Sequence, residues 1–165
     1  MKKIKLLLLV VLVTSISCAQ KSPRQEAKGT LDGVNVTIDY SAPSVKGRTV
    51  WGGLEKYGKV WRAGADTNTT VTFDKDVTIG DATVKAGKYG FFIIPNENSD
   101  WVVIFNSVND AWGAFSYKES EDVARLNVTP TFVDANQEAL TYSVSDTTIE
   151  FAWAKARLSI PVSKK

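Results

Sequence analysis

The 165-residue sequence contains no histidine and a single cysteine, Cys18. The first absence removes imidazole as general acid, general base or metal ligand, and with it serine–histidine and cysteine–histidine nucleophiles. The second excludes any disulfide within the chain. With Cys18 assigned to the leader, the folded part carries no thiol, so zinc and copper sites of the usual kind are not expected. No Walker or Rossmann glycine pattern follows a strand and opens a helix, which leaves nucleotide binding unsupported. No catalytic residue, cofactor or metal is therefore assigned. Long amphipathic helices are absent too, and only Leu54–Tyr57 suggests as much as one helical turn.

Apolar runs are scarce. The longest, Leu6–Val13, follows Lys2, Lys3 and Lys5. It is too short for a stable membrane span and has the layout of a secretory signal. Ser15-Ile16-Ser17-Cys18 then resembles a bacterial lipobox, so residues 1–17 are expected to be a lipoprotein signal peptide and Cys18 the lipidated residue. Cleavage there removes three lysines and no acid, taking the formal charge from +2 to −1. No basic footprint for nucleic acid remains. Residues 18–28 are polar with one proline and are expected to form a tether, leaving residues 29–165 as a single domain.

The rest reads as strand after strand. Val34, Val36, Ile38 and Tyr40 alternate with polar residues, as do Leu140, Tyr142 and Val144, and Ile149, Phe151 and Trp153. Val77–Ile79, Gly80-Asp81 and Ala82–Val84 form a hairpin signature. Tyr89–Ile94 and Trp101–Phe105 are apolar on both parities, predicting central strands covered on both faces. Arg125–Val133 alternates loosely, with Pro130 marking an edge or bulge. Leu158, Ile160 and Val162 share a face in a closing strand. About nine or ten short strands with frequent turns predict an all-β antiparallel sandwich or jelly roll.

One stretch interrupts this pattern. Tyr40–Phe73 holds five of the eleven glycines together with Trp51, Trp61, Arg48 and Arg62. A long glycine-rich connection is uncommon unless functional or disordered, and the tryptophans argue for order. The motif Y-S-x-P-x-x-K-G-R (Tyr40–Arg48), W-G-G-L-x-x-Y-G-K-V-W-R-x-G-A (Trp51–Ala65) and A-G-K-Y (Ala86–Tyr89) resembles a bacterial family of unknown function, DUF2911. The resemblance continues through Trp101, Trp112-Gly113 and the pair Asp122/Arg125. It implies a fold and an exported address, and no reaction.

The candidate ligand-binding residues are Arg48, Trp51, Trp61, Arg62, Asp66, Asn68, Trp112 and Tyr117. Aromatic faces beside Arg, Asp and Asn suit a small polar ligand, a glycan or a peptide. The structural alternative has Trp61 plugging the sandwich and Arg62 or Arg48 bridging to Asp122 or Asp66. Of the two loop tryptophans, Trp61 is expected to be structural and Trp51, between glycines, the more open. The leading expectation is a monomeric binding module, attached to the membrane through Cys18 and located in the outer membrane or periplasm. An envelope-assembly protein is the alternative. A carboxylate hydrolase is the second, drawing on Asp66, Asp74, Asp76, Glu97, Asp110, Glu119 and Asp122, although no spacing singles out a pair.

Overall fold

In the computed structural model, residues 21–165 are described, so the expectations for the signal peptide and for Cys18 lie outside the described residues. The chain is an antiparallel β-sandwich. Its larger sheet takes the order β1 (Arg24–Leu31), β2 (Val34–Ser41), β3 (Thr69–Phe73), β6 (Gly87–Ile94), β7 (Trp101–Asn106) and β8 (Asp122–Val128). Against it lie the pair β9 (Thr131–Val144) and β10 (Thr148–Pro161), and a small sheet ordered β11 (Ser163–Lys164), β4 (Val77–Ile79), β5 (Ala82–Val84). β1 runs beside β9 and β5 beside β8, so the layers approach one another along both sides.

The strands form where alternation predicts them. Val34, Val36 and Ile38 are buried with Leu31, Val71 and Phe73 against Tyr142, Phe151, Leu158 and Ile160 of the opposite layer. Apolar area removed from water on this scale dominates the stability of the fold. The β4–β5 hairpin turns at Gly80, whose φ of 57° is cheap only for glycine.

Two departures from the sequence reading have physical causes. Residues 24–28, expected in the tether, pair with β2 in register from Arg24↔Ser41 to Leu31↔Val34. The inward side chains are only Ala27, Gly29 and Leu31, so the alternation is faint. Gly29 is required because a Cβ there would sit 2.6 Å from Val144 Cβ of β9. Pro130, expected at an edge or bulge, instead lies in the two-residue link between β8 and β9.

β10 also resolves a parity conflict. Ile149, Phe151 and Trp153 face inward on odd positions, but Ala156, Leu158 and Ile160 do so on even ones. A one-residue slip would turn one set to solvent. Ala154, at φ 49°, sits between two register shifts and absorbs the change, so one bulged strand buries both sets.

Candidate functional site

The eight candidate residues separate into three places. Trp51 and Trp61 lie inside the sandwich. Trp61 is buried and forms a β-bridge with Ile93, continuing the line of β3 along β6. Its ring stacks on Trp153 at 5.4 Å, and its Nε1 donates to Gly64 O at 3.0 Å. Trp51 is the more exposed of the two, as expected, but it is not an open loop residue. Its ring packs edge-on against Trp101 (4.5 Å), Trp153 (5.5 Å) and Trp61 (5.7 Å). The glycines around it serve this packing: at Gly53 a Cβ would meet Thr49 O at 2.2 Å.

Arg48 lies at the rim. Its Nε donates to Val45 O at 3.0 Å and its Nη2 to Ser44 O, fixing the guanidinium over its own turn. A small hollow of about 300 Å³ opens there, lined by Lys21, Pro23, Ala42 and Lys46 among others.

The remaining five gather around the outer face of the larger sheet. Because Trp61 points inward beside Ile93, Arg62 projects outward near Phe92. The turn that follows is held by Ala63 O, which accepts from Tyr142 Oη at 2.7 Å and from Thr69 Oγ1 at 3.1 Å. Ala63 and Asp66 both adopt left-handed backbone, φ 52° and 58°. For alanine this conformation is costly and persists only where its surroundings enforce it. Asn68 is buried beyond the turn.

The β7–β8 connection folds back over this face. Asn68 N donates to Ala111 O at 3.0 Å, Gly113 N to Asp66 O at 3.2 Å, and Thr67 bridges to Trp112. The loop can lie this close because of Gly90 in β6, where a Cβ would come within 2.2 Å of Val108 O and 2.6 Å of Asn68 Oδ1. The apolar run of β6 is therefore covered on both faces, one by the core and the other by a loop. Under the loop, Arg62 Nε, Asp66 Oδ2, Asn68 Oδ1 and Thr70 Oγ1 are buried and have no hydrogen-bond partner in the protein. Above it, Trp112 is 57% exposed and Phe115 91%.

Tyr117 is committed to a neighbouring network. Its hydroxyl donates to Asp122 Oδ2 at 2.6 Å, which also accepts from Arg125 Nη1 at 2.8 Å, while Asn106 Nδ2 donates to Asp122 Oδ1 at 2.8 Å. Burial and the Asp122 carboxylate push the Tyr117 phenol well above its ordinary range. Among the described residues, neither Arg48 nor Arg62 forms the expected bridge to Asp122 or Asp66; Arg125 takes Asp122 instead.

Sequence reasoning missed Thr70, Gly90 and Glu55. A glycine inside the apolar run of β6 signals a close backbone approach and could have pointed to the loop. Glu55 carries no such signal. It forms a β-bridge with Trp51, and burial pushes its carboxyl from 4.5 up to about 7, partly offset by Arg62 and Arg48. The folded chain thus holds this proton more tightly than the unfolded chain. The benefit is full below the ordinary carboxylate value and is lost as pH rises through about 7. Between about pH 5 and pH 8 the site is expected to lose about 1–2 kcal/mol of stability, allowing for its partial exposure. Urea denaturation at both values should show Glu55→Gln removing most of that slope.

A cleft of about 840 Å³ lies at the far end of β1 between the Asp32-Gly33, Gly80 and Asp146-Thr147 turns, and none of the candidate residues lines it. It is open, short-chained and without aromatic rings, so the outer-face cluster has the richer chemistry for recognition.

Residues 22–162 match the family described as "Protein of unknown function (DUF2911)". The chain belongs to this family. The match spans β1 through β10 and so includes both loops of the outer-face cluster. No curated protein and no solved structure matches the chain.

Proposed function

We propose that this DUF2911 domain is the ligand-binding part of an envelope lipoprotein, exported by its leader and held through Cys18, and that it takes a small polar ligand at the outer-face cluster. One observation carries the reading. Four buried polar atoms of different kinds, a guanidinium N–H, a carboxylate oxygen, an amide oxygen and a hydroxyl, belong to residues 62–70 beside one loop and have no partner in the protein. Leaving such groups unsatisfied is costly, and sites for polar ligands are where such groups collect.

The mixture favours a polyhydroxylated ligand over an anion. A ligand reaches these atoms when the covering loop lifts: sugar hydroxyls then donate to Asp66 Oδ2 and Asn68 Oδ1 and accept from Arg62 Nε, and the sugar's apolar face suits the Trp112 ring carried on that loop. Titration calorimetry against a panel of mono- and disaccharides, with tetrapeptides as the competing class, tests the reading. Trp112→Ala is expected to weaken the best-bound saccharide about tenfold or more, the loss of a stacking contact, with the melting temperature unchanged. Binding unaltered in both Trp112→Ala and Arg62→Gln would move the site elsewhere.

A further inference from the structure

The exposed aromatic residues and the beginning of the domain lie on the same side of the molecule. Arg24, the first residue of β1, donates from Nη1 to Thr67 Oγ1 at 3.2 Å, and Thr67 is bridged to Trp112. Lys21 and Pro23 line the hollow that also holds Lys46 and Arg48. The domain therefore starts beside the loop that carries Val108, Trp112 and Phe115, three of its five large exposed apolar residues. Phe115 has almost its whole side chain in water, and Trp112 and Gly113, three and two residues before it, are tied down by the bridge to Thr67 and the bond to Asp66. An aromatic tip on a fixed loop has no packing role within the fold.

We infer that, when no saccharide covers Trp112, this face docks on a phospholipid surface, with Phe115 and Trp112 entering the headgroup–acyl boundary and Lys21, Arg24, Lys46 and Arg48 meeting anionic headgroups. The inference rests on the lipid anchor at Cys18. Lys21 follows Cys18 by three residues, so an extended chain separates them by no more than about 11 Å. An acylated Cys18 would hold the start of β1 within that distance of the bilayer, and the side that carries β1's first residue also carries the aromatic loop. Trp and Phe flanked by Lys and Arg are the side chains that partition to such an interface. The acids on this side are Asp110 on the loop, Asp66 beneath it and Glu138, whose Oε1 accepts from Lys46 N, with Glu119 and Glu121 where the loop ends, while Lys21, Lys46 and Arg48 gather at one hollow beside Arg24. The 840 Å³ cleft at the far end of β1 would then face away from the bilayer.

The test uses the full-length protein purified from membranes with its N-terminal modification. It is reconstituted in phosphatidylethanolamine–phosphatidylglycerol vesicles, with and without brominated acyl chains. Of the five tryptophans, Trp61, Trp101 and Trp153 are buried and Trp51 packs among them, so only Trp112 can meet a bromine. Bromination is expected to quench up to about a fifth of the emission, one tryptophan in five, and Trp112→Phe should abolish that loss. Phe115→Asp should at least halve it, by opposing entry of the loop. Vesicle flotation separates the two ideas. Protein that floats but is quenched no more than Trp112→Phe keeps its anchor and overturns docking. Wild-type protein that fails to float, or floats no better than Cys18→Ser, overturns the anchor and the docking inferred from it.

Discussion

Trp61→Ala is expected to lower the free energy of unfolding by about 3–5 kcal/mol, the usual range for emptying a buried aromatic site. The ring is 4% exposed, lies parallel to Trp153, and its indole N–H holds Gly64 O. Truncation leaves a void beside Trp51, Trp153 and Phe151 and releases the carbonyl that fixes the turn to Asp66. The effect should therefore extend to the outer face, with saccharide binding weakened even at temperatures where the variant stays folded. Trp51→Ala should cost about 2–4 kcal/mol, less because the ring is only partly buried, but far above a surface change. The two should not add: Trp51 and Trp61 touch at 5.7 Å, and residues in contact commonly couple by about 0.5–3 kcal/mol. Chemical denaturation of both single variants and the double variant measures this. A Trp51→Ala cost within about 0.5 kcal/mol would mark it as a surface residue and return it to the ligand-contact role suggested by its place between glycines.

The architecture was legible where one side of a strand is apolar and the other polar. β2, the β4–β5 hairpin and the inward residues of β9 and β10 follow from period-two alternation alone. The unbroken apolar runs of β6 and β7 correctly indicate burial on both faces, but alternation says nothing about what does the covering. That turned out to be the loop after β7, admitted by Gly90. β1 was illegible because Ala27 and Gly29 give its inner face almost no hydrophobic contrast. The parity change in β10 was written in the sequence, yet a bulge within one strand and a break between two look alike until Ala154 is seen at positive φ. Residue types were the better guide to which side chains the loops bring together. Arg62, Asp66, Asn68 and Trp112 do meet, across 50 residues of sequence from Arg62 to Trp112, whereas Arg48, Trp51 and Trp61 are held elsewhere by contacts that composition cannot reveal. The ionic partner of Asp122 could have been read from the spacing to Arg125, a two-residue offset within β8 plus its bulge.

Asp122→Ala is expected to destabilise the domain by about 2–4 kcal/mol, since hydrogen bonds to a buried charge are strong and removing one member strands the others. The Asp122 side chain is 6% exposed and accepts from Asn106, Tyr117 and Arg125. Asn106 is itself buried and in turn accepts from Val108 N through its Oδ1, so the carboxylate secures the start of the loop that covers Gly90. Arg125 remains a third exposed and can turn to water, which keeps the cost below that of a fully enclosed pair. Asp122→Asn should recover part of the loss, because an amide oxygen can still accept from Tyr117 or Asn106 but brings no charge to Arg125. Tyr117→Phe should cost about 1–2 kcal/mol, since the hydroxyl both donates to Asp122 Oδ2 and accepts from Arg125 Nη1 at 3.0 Å, while the ring's packing on Phe92 stays intact. The network also sets an alkaline limit. The Tyr117 phenol is raised above its ordinary value of 10, so its contribution is complete below that value and is lost as pH climbs through the higher folded-state value. Denaturation midpoints for wild type and Tyr117→Phe should therefore stay parallel through neutral pH and converge only in strong alkali. Convergence at neutral pH would mean that the Tyr117–Asp122 bond contributes nothing, and the loop over Gly90 would have to be held by Asn68, Asp66 and Asn106 alone.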